Sequence, residues 1–166
     1  MGLKTAGPHI MLIKVRLAEP EDYKFVGEMG ALTLIETWPN DYTVEQTHFF
    51  VTNAMTLVDV PTFWAFVAFD GDAPVGAMTV TEAWATHSLG PFGIVQDIGI
   101  IPEYRAYGVG SLLINAMKEF AFDRGWPTLE LVGPPPDAAD IPRATKFFNG
   151  NGFNVIGPAM QAVVIP

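Results

Sequence analysis

No cysteine occurs in the 166 residues. Disulfides, cysteine-ligated zinc and a thiol nucleophile are all excluded, and cysteine usage says nothing about the redox compartment. Positive charge is scarce as well: nine Lys and Arg stand against eighteen Asp and Glu, for a net charge of -9. A nucleic-acid backbone would find little to neutralise it, so nucleic acid is not an expected partner. An acidic surface attracts cationic small molecules or basic peptides, although acidity also serves plain solubility. Long apolar runs are missing too. The first thirteen residues carry neither the apolar stretch of a signal peptide nor a transmembrane span, and the longest apolar stretches are strand-sized. A cytoplasmic protein without membrane association is the expectation, and no internal repeat or low-complexity segment is visible.

What is present is apolar side chain, 49% of residues against 16% charged, over a length that suits one hydrophobic core. A single domain over residues 11–166 is expected. Residues 1–10, a stretch containing Gly and Pro ahead of Met11, read as a disordered N-terminal segment or an added leader.

Periodicity orders the rest. Residues 10–17 alternate apolar and polar and are rich in branched side chains, which predicts a strand. Residues 21–37 place Phe25, Val26, Met29, Leu32 and Ile35 at helical spacing. Thr43 is suited to cap a second helix whose face is Val44, Thr47, Phe50, Val51 and Ala54. Residues 62–69 and 75–82 form a hairpin across the turn at 70–74, and a further strand spans 94–101. The plainest helix covers 109–124, with Leu112, Leu113, Ala116, Met117, Phe120 and Ala121 on one face and Gly125 to end it. A short strand at 128–132, a helix at 143–149 and two closing strands at 153–156 and 161–165 complete an α/β (mixed α+β) order with helices on both sides of a mixed sheet.

One junction carries chemistry. A strand that enters a glycine turn and then a long helix brings successive backbone N-H groups, and the positive end of the helix dipole, to one point. Gly108 and Gly110 suit a backbone that comes close to an anion without a side chain in the way, and Arg105 adds a positive charge at the mouth of the turn. The turn is not a Walker loop, because no Lys-Ser/Thr pair follows the glycines, and it lacks the third glycine of a dinucleotide fingerprint.

The stretch from Asp97 through Pro102, Glu103, Tyr104, Arg105, Gly108 and Gly110 to Leu113 resembles the signature of the GCN5-related N-acetyltransferase (GNAT) superfamily. That signature is Q/R-x-x-G-x-G/A behind a strand that ends in a P-E-Y-R type sequence. The order of elements over about residues 10–165 is similar as well, including a late helix that closes on a glycine and Phe153. The resemblance implies an acyl-CoA N-acyltransferase fold: a central, mostly antiparallel seven-stranded sheet flanked by about four helices. It implies acetyl-CoA as cosubstrate, no metal, and transfer of an acetyl group to a primary amine of a small molecule or peptide. A homodimer is compatible with it.

Carried onto this chain, the resemblance lays the pantetheine arm along Ile98, Gly99 and Ile100. The pyrophosphate falls to the N-H groups of Arg105, Ala106, Tyr107, Gly108, Val109 and Gly110, with Ser111 beside them. A backbone N-H of Ile98 or Ile100 would stabilise the oxyanion. Candidates to take the amine proton are Asp97, Glu82 and His87. Many relatives have a tyrosine in the late helix to protonate the leaving thiolate, and an asparagine seven residues earlier. Here those positions are Phe148 and Ile141, so Phe148 is read either as packing against the cofactor arm or as a core aromatic. The missing pair motivates an alternative: a catalytically weak acyl-CoA-binding sensor or scaffold. Trp38, Asp41, Tyr42, Trp84 and Phe92 are candidate walls for a cationic acceptor.

Overall fold

The computed structural model describes residues 11–133 and 141–157. Strand β1 (Ile13–Leu17) keeps the alternation of its sequence, and one 3-10 turn at Pro20–Asp22 leads into α1 (Tyr23–Thr37). That entry is pinned by charge, since Asp22 accepts from the Glu19 N-H at 2.7 Å and from Arg16 at 2.6 Å. Thr43 opens the next helical unit through the reciprocal bond of a capping box, its N-H donating to Gln46 Oε1 at 2.7 Å, and α2 (Thr47–Thr56) follows.

β2 (Phe63–Asp70) and β3 (Ala73–Ala83) form the expected hairpin around Gly71, whose φ of 61° supplies the turn. β4 (Phe92–Ile100) pairs antiparallel with β3, and a 3-10 turn at Pro102–Tyr104 precedes α3 (Val109–Asp123). β5 (Leu129–Leu131) returns parallel to β4, and α4 (Ile141–Gly150) comes last. The sheet order is β1-β2-β3-β4-β5, antiparallel until the final pair.

Each face of this sheet buries its own helix layer. Met78, Val80 and Val95 meet α3 through Val109, Leu113, Ile114 and Met117, all fully buried. On the other face Tyr23, Val26 and Met29 of α1 pack with Phe63, Ala65, Val67 and Ala77. The apolar stripe of α3 is rotated from the one its periodicity suggests: Leu112 is exposed and Ile114 is buried in its stead. The rows Val109-Leu113-Met117 and Ile114-Ala121 centre the stripe, because the surface that meets the sheet decides its middle. Five strands are present among the described residues, where seven were expected. Residues 153–156 form no strand: Phe153 packs against the core, but Val155 and Ile156 are more than four-fifths exposed and add little burial to offset ordering. The strand expected at 161–165 lies outside the described residues. No helix among the described residues is long and apolar enough to cross a membrane.

Candidate functional site

Strand β4 changes surroundings part-way along. Gly93, Ile94 and Val95 pair with Leu129, Glu130 and Leu131, and there β5 ends. Against β3 the register slips at the same level: Val80 faces Val95 but Met78 faces Ile98, so Gln96 and Asp97 together oppose Thr79. This is a β-bulge, which bends the strand and re-aims its backbone. Beyond it, the Asp97 N-H donates to Thr79 Oγ1 at 3.2 Å and the Ile101 N-H to Val75 O at 3.0 Å, both toward β3. Backbone polar groups alternate along a strand, so the N-H and C=O groups of Ile98 and Ile100 point the other way, toward an edge that no strand pairs with beyond Leu131 among the described residues. Ile98 O lies 3.2 Å from Thr33 Oγ1, whose single proton is shared with Met29 O at 2.9 Å. Ile100 O accepts from Arg105 Nε at 2.9 Å.

The strand then runs into the glycine turn. Ala106 (φ 64°) and Gly108 (φ 81°) both take the left-handed conformation, which for Ala106 costs about 1–2 kcal/mol of backbone strain. Left-handed residues in a turn can gather successive N-H groups on one side, a geometry suited to an anion. The helical ladder begins with Leu112 N-H donating to Gly108 O at 3.1 Å. The six N-H groups from Ala106 to Ser111 have no hydrogen-bond acceptor among the described residues. Two side chains hold the turn in place. Tyr104 donates to Asp70 Oδ2 at 2.9 Å, and that carboxylate raises the phenol pKa above its usual value. Arg105 grips both oxygens of Glu36 through one nitrogen, at 2.9 Å each. The charge of Arg105 is therefore already matched, and the anion-binding capacity of the turn resides in its backbone.

Among the described residues, β4 thus leaves an unpaired strand edge beside a bulge, and that edge leads to six acceptorless N-H groups at a helix start; the N-H of Arg105, expected in the same row, is taken by Pro102 O at 3.2 Å. A model of the acetyltransferase (GNAT) family matches residues 29–153. The chain belongs to this family. That membership makes it an N-acetyltransferase. Solved structures share the fold at low identity. A possible acetyltransferase from Clostridium difficile 630 is 19% identical with a TM-score of 0.75, over 93% of this chain and 99% of that one. An aminoglycoside N-acetyltransferase, AAC(6')-Iy, in complex with CoA is 13% identical with a TM-score of 0.72, over 96% and 99%. The ribosomal-protein-alanine N-acetyltransferase from Brucella melitensis biovar Abortus 2308 is 16% identical with a TM-score of 0.67, over 93% and 99%.

Within this acetyltransferase, the two glycines that looked like sites of ligand approach are needed for packing. A Cβ on Gly99 would lie 2.7 Å from Met29 O, so its absence lets α1 close onto β4. A Cβ on Gly110 would lie 2.8 Å from the Phe147 ring, so its absence seats α4 against α3. Of the three site glycines 99, 108 and 110, Gly108 alone opens onto free space, and there the positive φ is the requirement.

The three proton-acceptor candidates do not converge. Asp97 sits in the bulge on the α1 face of the sheet, hydrogen-bonded to Thr79 Oγ1 at 3.3 Å; burial raises its pKa, and the Thr79 bond pulls part of the way back. Glu82 lies on the opposite face, at the C-terminal end of α3, where it accepts from Trp126 Nε1 at 2.8 Å and pairs with Arg124 at 3.2 Å. A helix of this length puts that pair roughly 20 Å from the glycine turn. His87 is exposed in the loop between β3 and β4, about 15 Å of strand away from Asp97. Phe148 is half-buried between Phe147 and Phe153, with ring centroids 5.1 and 6.0 Å away.

Among the expected acceptor walls, Trp84 is 71% exposed and Phe92 is buried opposite Ala83. Trp38 and Tyr42 do meet, at 6.3 Å, and Phe50 joins them at 5.7 Å from Tyr42. That aromatic cluster begins at the C-cap of α1, whose last turn carries Glu36. Thr33, Glu36, Thr79 and Phe147 are site neighbours that no local motif marks, because each reaches the site from a different element.

Proposed function

We propose that the protein transfers the acetyl group of acetyl-CoA directly to a primary amine of a small molecule or peptide. The observation that carries this reading is the continuity of the open β4 edge with the row of acceptorless N-H groups: an extended amide arm can pair with the first while its pyrophosphate rests on the second. The pantetheine arm lies along Ile98, Gly99 and Ile100, and the pyrophosphate meets the N-H groups of Ala106, Tyr107, Gly108, Val109, Gly110 and Ser111. The N-H of Ile98 or Ile100 faces the thioester oxygen, where donors fixed in place stabilise the developing oxyanion.

An alkylamine has a pKa of about 10.4 and must lose a proton to attack. Its nitrogen bonds to the thioester carbon, the C-S bond breaks, and the electron pair leaves on the coenzyme A sulfur as thiolate. The ammonium gives up its first proton to solvent before attack, and the second, left on nitrogen once the N-C bond has formed, passes to Asp97, directly or through one water; the raised pKa of Asp97 brings it nearer the working range of a general base. Phe148 supplies no proton, and the thiolate takes one from solvent. Trp38, Tyr42 and Phe50, with Asp41 and Glu45 close by in sequence, suit a cationic acceptor through ring faces and charge.

The test is calorimetric titration with acetyl-CoA and with desulfo-CoA, followed in the same cell by a thiol-release assay over a panel of amines. Saturable binding with amine-dependent thiol release is the expected result. Binding without release over the whole panel would replace the enzyme by the sensor or scaffold that the absent tyrosine suggests.

A further inference from the structure

The open edge of β4 poses an electrostatic problem. Each residue that faces outward offers an acceptor as well as a donor, so an oxyanion drawn to an N-H of Ile98 or Ile100 also meets carbonyl lone pairs of the same sign. The structure answers this at Ile100. Its carbonyl is occupied by Arg105 Nε at 2.9 Å, which covers the lone pair and sets positive charge beside it. The guanidinium does not hold that pose alone, because one terminal nitrogen is 2.9 Å from both oxygens of Glu36, near the end of α1. Without Glu36, a flexible arginine at the mouth of an anion-binding turn would turn toward phosphate.

We propose that Glu36 is a positioning residue for acetyl transfer: it holds Arg105 so that Nε occupies the Ile100 carbonyl, leaving the β4 edge to present N-H groups to the thioester oxygen. Arg105 thus acts as a strut between α1 and β4, and the pyrophosphate is left to the backbone. The pair is partly solvated, with the two side chains 29% and 44% exposed, so its value as a bare salt bridge is small and its effect lies in placement.

This rests on the acetyl-transfer reading, and the experiment separates the two. Glu36→Ala, the milder Glu36→Gln, Arg105→Ala and the double variant are compared for Tm, for acetyl-CoA Kd by calorimetry, and for kcat. The carbonyl stretch of bound acetyl-CoA, carrying 13C at the thioester carbon, is read by isotope-edited infrared spectroscopy. Polarisation by the edge lowers that stretch in the wild type. The strut predicts that both alanine variants return most of the shift and lose about tenfold in kcat, while Kd stays within about threefold. Their Tm stays within about 3 °C of the wild type, and the double variant is no worse than either single one. Kd loosened tenfold or more in Arg105→Ala with the stretch unchanged would make Arg105 a phosphate ligand and overturn the proposal. So would unchanged kcat, or additive losses in the double variant. If the wild type polarises the carbonyl yet acetylates no amine, the transfer reading falls, and the strut survives only as a device that polarises bound acetyl-CoA if both alanine variants still return the stretch; no binding of acetyl-CoA at all removes both.

Discussion

Gly108 offers a way to separate backbone geometry from phosphate binding at a single position. Its φ of 81° is left-handed and a Cβ there would meet nothing within 4 Å, so alanine costs only conformational strain, about 1–2 kcal/mol. For a chain of this size, about 1 kcal/mol corresponds to roughly 2–4 °C in Tm. Asparagine tolerates the conformation better than alanine and is close in shape to aspartate, so the Asn and Asp variants differ mainly in one charge. A carboxylate at this rim has two routes to oppose the cofactor: it can accept from the turn's own N-H groups, and it repels the pyrophosphate. At a separation of about 5 Å and an effective dielectric of about 20, one pair of unit charges costs about 3 kcal/mol. Salt and solvent reduce this to about 2 kcal/mol, or about 30-fold in Kd. Calorimetric titration of acetyl-CoA into Gly108→Ala, Gly108→Asn and Gly108→Asp, each checked by thermal melting, should show Asn binding close to Ala and Asp roughly 30-fold weaker than Asn. Equal affinity for the Asn and Asp variants, both folded, would mean that no phosphate sits over this turn.

Gly99→Ala places a Cβ 2.7 Å from Met29 O, a backbone atom that cannot swing aside, so α1 must back away; a loss of about 1–3 kcal/mol is expected by denaturant titration, and wild-type stability would refute the close approach. Asp97→Asn should abolish the acid limb of the kcat profile together with most activity, and an unchanged profile would remove Asp97 as base. The same variant tests linkage. Burial raises the Asp97 pKa, so its ionised form is a stability cost that develops as pH rises from the ordinary value of 3.8 through the folded one. Asp97→Asn should therefore melt above the wild type at pH 7, with the advantage disappearing below the ordinary carboxylate range; an advantage that persists there would contradict the assignment. Glu82→Gln should keep kcat within about twofold while losing about 1–2 kcal/mol of stability, since it weakens the acceptor for Trp126 and unpairs Arg124; a kcat collapse at unchanged stability would restore Glu82 to the chemistry.

Local signals were enough for much of this molecule. The capping pair Thr43 and Gln46, the turn glycines at 71 and 125, and the run from Pro102 to Gly110 each act within one element or one turn, so they are readable from neighbours in the chain. The apolar stripe of α3 was readable in existence but not in phase, and Leu112 shows why: a helix has several nearly equivalent apolar faces until a sheet is pressed against one. The strand expected at 153–156 is absent for a related reason. Residues 153–156 have a strand-like composition, but pairing requires a neighbour that composition does not supply.

The site divides along the same line. By itself the sequence determined that the chain is an α/β protein, that a glycine turn opens its best helix, and that the motif there is that of the GNAT acetyltransferases. Only tertiary structure decided which groups do what around that turn. It set Gln96 and Asp97 opposite Thr79, and ended the pairing with β5 at Leu131, so that among the described residues the edge of Ile98 and Ile100 has no strand beside it. It matched Arg105 with a glutamate 69 residues away, and drew Glu82 to the far end of α3. Those outcomes depend on where separate elements meet, and a contact between distant residues is fixed by the packing of both elements, which neither segment encodes alone.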